Sequence, residues 1–341
     1  MNNSKHGTSR ITRRTLLAVS GAALAAPAIF TKGVLAQDKK VIRISTPSPD
    51  AEWQAKGLMK FKEMVEAKSP TLAVEVYLNA TLFDQGTEIP AMQRGNLEVG
   101  MISPQDIASY IPEYSIYTAG YLLRDAAHLH KVFDDSDVAT EYRSRVASEM
   151  DVSILGSQYL GTRHVILRKA KDVQTPADLA GLKLRVPGSD TWQFLGRALG
   201  ANPTPVAFDE VYLALSTGTV DGLENPIADM IAAKFYEVSE QLVLTAHMVA
   251  PLFFAMSNSF WNGLSDDEKQ VVSDAVTAQA QFVDQGTLAT EAEGTSLLES
   301  KGLKVTTPNL EAFRSHVQSV YLASDYAKDW PAGLLDRINA L

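Results

Sequence analysis

The sequence predicts an α/β protein of two similar lobes, with a hinge between them and one long bracing helix. Three observations support this. A strand-helix-strand-helix-strand order recurs about 120 residues apart. The stretch Leu182 to Pro226 brings three strand ends and their loops to one sheet edge, which in open α/β sheets is where ligands sit. Ser265-Asp266-Asp267-Glu268 is a capping box that opens a helical pattern running to about Ser300.

Val41 to Thr46 (VIRIST) is a buried strand, Trp53 to Lys68 an amphipathic helix, and Ala73 to Leu78 (AVEVYL) a strand with alternating faces. A short helix over Glu88 to Arg94 leads through Gly95 into a strand over Val99 to Ser103. In the second unit, Leu182 to Val186 is a strand that ends on an arginine, followed by a Pro187-Gly188 turn and a helix. Pro205 to Phe208 is a second short strand, another helix starts at Asp209, and Thr219 to Gly222 returns to the sheet. The segments Glu88 to Glu98 and Glu210 to Asp221 resemble each other. Each is a helix closed by a glycine, which can take the left-handed C-cap conformation, and then a hydrophobic-acid pair.

Between the units, Val152 to Tyr159 and Thr162 to Leu167 read as two strands joined across Leu160-Gly161. The apolar segment Leu242 to Ser257 returns toward the first unit as a strand or strands. Two crossings, around Gly161 and Pro251, make a hinge, with a first lobe over 37–161 plus 251–290 and a second over 162–250 plus 291–341. The long helix, some 35 residues at about 1.5 Å each, reaches roughly 50 Å. That is enough to brace both lobes, and Gly286 and Gly294 are expected to mark bends in it. Leu303 to Val305 is a short strand and Leu310 to Tyr326 the final helix.

A chain of 341 residues can bury a full core in each lobe. Thr12-Arg13-Arg14-Thr15-Leu16-Leu17, an apolar run to Phe30 and small residues before Val34-Leu35-Ala36 form a twin-arginine export signal over 1–36, with Gln37 the first mature residue. The run is too short and too weakly apolar for a membrane span. Residues 1–36 hold five basic residues and no acid, so their removal takes the net charge from −9 to −14. An acidic chain attracts neither nucleic acid nor anionic lipid. With no cysteine, neither a disulfide nor a thiol nucleophile exists.

Arg185 ends a strand at the crevice, where a planar guanidinium suits a carboxylate through two charge-assisted hydrogen bonds. Arg163, after Gly161-Thr162, faces the same cleft; two arginines there repel each other unless an anion sits between them. Asn225, expected on the loop leaving a strand, can donate to a carboxylate oxygen through its amide. Phe208, Trp192, Tyr212 and Trp53 stand near strand ends or helix starts and either wall the pocket or belong to the core. Across the cleft, Asp84, Gln85, Glu88 and the Ser103-Pro104-Gln105-Asp106 loop follow strands of the first lobe, as acceptors for ligand hydroxyls or as solvated caps. No hydrolase elbow, zinc-protease, Walker or dinucleotide motif occurs, which argues against an enzyme. His128 and His130, two apart on a helix, do not share a face, so no metal pair is expected.

The ordered motifs Leu182-Lys183-Leu184-Arg185-Val186-Pro187, Gly200-Ala201-Asn202-Pro203-Thr204-Pro205, Glu210-Val211-Tyr212-Leu213-Ala214-Leu215 and Val220-Asp221-Gly222-Leu223-Glu224-Asn225-Pro226 resemble the DctP-type solute-binding proteins of TRAP transporters. The likeness spans the mature chain, and this block is close to the sialic-acid-binding members. It implies a bilobal, type II-like periplasmic binding protein without a cofactor. Such a receptor closes on an organic acid and hands it to a membrane permease driven by a sodium gradient. It further implies that Arg185 pairs with the ligand carboxylate, that Arg163 and Asn225 are pocket donors, and that Phe208 lines the pocket. Gln85, Glu88, Gln105 and Trp53 are carried over only as neighbours of ligand-facing positions. Gly188 stands where the sialic-acid binders have an asparagine, and Ser103-Pro104-Gln105 replaces their acidic segment, so a different acid is expected. A uronate or aldonate comes first, with a smaller hydroxy or keto acid, a C4-dicarboxylate or ectoine as alternatives. A periplasmic carboxylate-binding enzyme is the competing class.

Overall fold

The computed structural model describes residues 39–341; the proposed export signal lies outside them. Nine strands form one mixed sheet: β1 Lys40–Ser45, β2 Leu72–Tyr77, β3 Val99–Ile102, β4 Val152–Leu167, β5 Lys183–Val186, β6 Asn202–Pro205, β7 Gly222–Pro226, β8 Gln241–Ser257 and β9 Lys304–Thr306. Their order is β2-β1-β3-β8-β4-β7-β5-β6, with β9 on β8. β1 pairs in parallel with β2 and β3, and β5 in parallel with β6 and β7. Each half is thus the same three-strand unit, and the antiparallel pair β4 and β8 runs through the middle of both.

The repeat extends to side chains. The helices Glu88–Gln93 and Val211–Thr217 are followed by Gly95 and Gly218, both at positive φ (71° and 76°). The acids that follow do the same work: Glu98 Oε2 accepts the Arg43 N–H at 2.9 Å, and Asp221 Oδ2 accepts the Lys183 N–H at 2.9 Å. In each half the acid ties the returning strand to the start of the central one.

Several boundaries differ from the sequence expectation. The two strands across Leu160-Gly161 are one strand, β4, whose pairing with β8 slips at Ile154/Gly156, Tyr159/Gly161 and Arg163/Val165. Gly161 has φ 135°, and a Cβ there would lie 2.5 Å from Pro226 Cβ, so only glycine fits this kink. β6 ends at Pro205, and Phe208 instead begins a 3-10 turn over Phe208–Glu210. The N–H groups of Asn202 and Val206 bond to the carbonyls of Leu182 and Val186, which leaves Pro203 and Pro205 on the outward, donor-free side of an edge strand. The returning strand is Gly222–Pro226 rather than Thr219–Gly222, so Asn225 lies within it, opposite His164.

The capping box of Ser265 and Glu268 is present, and the helix it starts spans Asp266–Ser300. Gly286 and Gly294 are close contact points in it. A Cβ on Gly286 would lie 2.2 Å from the Trp53 ring, and one on Gly294 would lie 2.4 Å from Ile227 Cγ2. The helix therefore packs closely on Trp53–Lys68 in one half and on Ile227–Ala232 in the other. Gly286→Ala should lower unfolding free energy by about 1–3 kcal/mol through overpacking, although alanine is the better helix former by about 1 kcal/mol. Urea unfolding checks the sign, and a more stable variant would show that the crossing is loose.

The C-terminus also departs from expectation. The helix Leu310–Leu322 stops early and is followed by Tyr326–Asp329 and Leu334–Ala340. Leu334 and Ile338 are buried with Tyr142, Phe133 and Phe253, in the core that also contains Ile89 and Met92. The tail thus packs on the first half, not on the second where 291–341 was expected.

Candidate functional site

The C-terminal ends of β1, β2 and β3 face those of β5, β6 and β7 across a cleft with about 750 Å³ of atom-free space, counting its mouth. From the first half come Ser48, Glu52, Gln54, Gln85, Glu88, Ser103, Gln105 and Asp106; from the second, Arg185, Trp192, Phe208, Asn225 and Asp229. Arg163 and Met248, from the two central strands, form part of the wall.

Arg185 is 1% exposed. Its Nε donates to Val206 O at 2.8 Å and its Nη2 to Gln85 Oε1 at 3.0 Å, and the guanidinium stands 5.8 Å from the Phe208 ring centroid. Among the described residues no carboxylate is in contact with it. Burial lowers its pKa to about 9, the more distant Glu224 opposes this, and Arg163 adds to it. A dry guanidinium whose bonds go only to neutral oxygens favours an incoming anion.

Arg163 lines the same cleft as Arg185 and is paired with Glu224. Its Nη2 bonds Glu224 Oε1 at 2.8 Å, Glu224 O at 2.9 Å and Asn225 Oδ1 at 2.6 Å, and its guanidinium lies 4.6 Å from the Trp192 ring centroid. Its charge is answered inside the protein. Glu224 is fully buried, yet Arg163 and His247 overcome the effect of burial and bring its pKa to about 2. His247 Nε2 lies 3.1 Å from Glu224 Oε2, and its Nδ1 lies 2.8 Å from Thr245 Oγ1. Burial lowers the pKa of His247 and holds that of His164 at about 3. Asn225 uses both ends of its amide, accepting from Arg163 and donating from Nδ2 to Asp229 Oδ2 at 3.0 Å. One of its two Nδ2 hydrogens is thus used by Asp229, and Asn225 lines the cleft.

In the first half, Gln85 Oε1 also accepts the Phe208 N–H at 3.0 Å, so one side chain bridges the two halves. The Gln105 carbonyl accepts from Thr191 Oγ1 at 3.0 Å, and its Nε2 approaches Met248 Sδ at 3.4 Å. Glu88 Oε2 accepts the Gly86 N–H at 2.7 Å, while burial lifts its pKa to about 8. This shift favours the protonated form, which can donate. Ser48 Oγ donates to Gln54 Oε1 at 2.7 Å.

Trp53 lies outside the cleft. Its Nε1 donates to Thr290 Oγ1 at 2.8 Å, and its ring meets Phe282 edge to face at 5.6 Å, so it packs against the long helix. Tyr212 is 38% exposed on the surface, where it bonds Glu237, and Asp84 is exposed. Sequence reasoning missed Ser48, Glu52, Glu224, Asp229 and Met248. The only available signal was spacing: Asp229 follows Asn225 by four residues across a strand-to-helix turn.

Among the described residues no group of three or more His, Cys, Asp or Glu is placed to hold a metal ion, and no helix is long and apolar enough to cross a membrane. His128 Nε2 lies 2.9 Å from Ile338 O, whereas His130 lies between Asp134 and Asp284.

The chain is similar to proteins that share this architecture. A TRAP periplasmic solute-binding protein from Roseobacter denitrificans, solved with bound 3-deoxy-D-manno-oct-2-ulosonic acid, superposes with a TM-score of 0.86 at 43% identity, covering 89% of this chain and 99% of that one. The sugar-acid-binding protein DctPAm from Advenella mimigardefordensis, solved with galactonate, gives 0.81 at 26% identity, covering 89% and 99%. The sialic acid-binding periplasmic protein SiaP of Vibrio cholerae is 32% identical over 260 residues, 76% of this chain and 80% of SiaP. These relatives are solute-binding receptors, not enzymes. With residues 44–329 matching the family described as DctP, bacterial extracellular solute-binding protein family 7, the chain belongs to that family.

Proposed function

We propose that this chain is the periplasmic receptor of a TRAP transporter and that it captures a sugar-acid anion, with the carboxylate on Arg185. The observation that carries the reading is a fully buried guanidinium at a strand end with no acid in contact. Arg163 is neutralised by Glu224, so Arg185 is the one cation free for a ligand among the described cleft residues. That favours an acid with one carboxylate over a C4-dicarboxylate. The remaining polar wall, with Ser48, Gln54, Gln85, Glu88 and Asp229, suits hydroxyl groups. Ectoine is disfavoured, because Trp53 faces the long helix and cannot complete an aromatic box. The relatives bound to 3-deoxy-D-manno-oct-2-ulosonic acid and galactonate support the same choice.

In this reading the chain is exported through the twin-arginine signal at 1–36. The lobes comprise 37–161 plus 251–290 and 162–250 plus 291–329, the C-terminal tail belongs to the first lobe, and the hinge lies at Gly161 and Pro251. The closed receptor delivers its ligand to TRAP membrane subunits driven by a sodium gradient. A ligand that binds only the folded, closed form raises apparent stability with concentration. Thermal unfolding against 3-deoxy-D-manno-oct-2-ulosonic acid, galactonate, other aldonates and uronates, succinate and ectoine tests the ligand class. A sugar acid is expected to give the largest upward shift; succinate or ectoine ahead of every sugar acid would overturn the assignment.

A further inference from the structure

We infer that Glu52 and Asp229, which face the cleft from opposite halves, form a two-carboxyl clamp for the hydroxyl-bearing tail of the ligand and so select longer sugar acids. The inference rests on the sugar-acid reading above. Glu52 precedes the helix Trp53–Lys68 in the first half, and Asp229 lies in the first turn of the helix Ile227–Ala232 in the second. Both line the cleft, at 4% and 6% exposure. Glu52 Oε1 is buried and has no hydrogen-bond partner among the described residues: Ser48, the hydroxyl that acts on it, gives its hydrogen to Gln54 Oε1 at 2.7 Å. Asp229 gives Oδ2 to Asn225, and no bond to its other oxygen occurs among them. A polar atom this deeply buried and unpartnered in a ligand cleft marks a contact that the protein alone does not complete.

The chemistry suits a hydroxyl. Burial, and then the charge of Asp229, raises the Glu52 pKa against the opposing effect of Ser48, which favours the form that can donate. Burial lifts Asp229 to about 7 against the pull of Arg163, with Glu291 and Glu224 adding to the lift. Asp229 remains an acceptor anchored by Asn225. A hydroxyl both donates and accepts, so one placed between the two satisfies both. Each half supplies one side of the contact, so an acid too short to reach it leaves Glu52 unpaired when the cleft closes.

The test is calorimetric titration of the wild type, Glu52→Gln and Asp229→Asn with a long acid and a short one. Galactonate and 3-deoxy-D-manno-oct-2-ulosonic acid serve as the long acids and D-erythronate as the short one, with thermal unfolding as a check on folding. Wild type should prefer the long acids by at least about tenfold, the discrimination expected of charge-assisted hydrogen bonds. Either substitution should cut that preference to less than about threefold, with the loss falling mainly on the long acids. An unchanged preference, or equal losses for long and short acids, overturns the clamp and leaves the sugar-acid reading intact. Absence of binding of any of these acids to wild type overturns both.

Discussion

Arg185→Ala is expected to weaken sugar-acid binding by about 10²–10³-fold, enough to remove the ligand-induced thermal shift. Truncating one partner of a buried, hydrogen-bonded charge pair costs about 2–5 kcal/mol, and every 1.4 kcal/mol is about tenfold in Kd. Arg185→Lys should recover little of this, because an ammonium lacks the planar fork that engages both carboxylate oxygens. The ligand-free protein should behave in the opposite way. Arg185 is buried without an acid in contact, so Arg185→Met should leave unfolding free energy unchanged or higher while binding is lost. Calorimetric titration and urea unfolding measure the two halves. A variant that still binds with less than tenfold loss would remove Arg185 from the ligand.

Glu224→Ala should have the largest effect on stability. It leaves Arg163 buried without its counter-charge, at a cost of about 3–5 kcal/mol. For a chain of this size the midpoint of thermal unfolding should fall by on the order of 10 °C. The pH dependence follows from the direction of the shift. Glu224 has its pKa lowered from 4.5 to about 2 in the folded state, so its contribution is fully present above the unfolded value and is lost as pH falls through about 2. At one unit per 1.36 kcal/mol this is about 3 kcal/mol. Glu224→Gln should flatten the stability profile between roughly pH 5 and pH 2 relative to wild type. A loss under about 1 kcal/mol for Glu224→Ala would mean that the buried pair is not what holds Arg163.

What could be read from the sequence was local in origin. The Ser265 capping box and the glycines at 95 and 218 act through their own few residues, so both helix ends and the internal repeat were legible. Arg185 was legible because a Pro-Gly turn after a strand marks a sheet edge. Contacts between distant segments were not. Nothing near Arg163 announces that Glu224, sixty-one residues away, pairs with it. Trp53 sits at a helix start, as a pocket aromatic would, but Gly286, far along the chain, makes the space that draws its ring away from the cleft. The strand expected over Pro205 to Phe208 lies instead at Asn202–Pro205, where an edge position lets the missing donors of Pro203 and Pro205 face outward.

The two central strands run unbroken through both halves, paired along most of their length, with three register slips and Gly161 between. Two lobes tied by a bonded ribbon cannot swing freely as on a loose tether. Such a ribbon is weakest at its slips, where the ladder is interrupted, and stiffest along the intact ladder on either side. Most polar residues of the cleft sit on the strand ends, loops and helix starts, while Arg163 and Met248 belong to the ribbon itself. Changes among the former leave the paired length of the ribbon as it is.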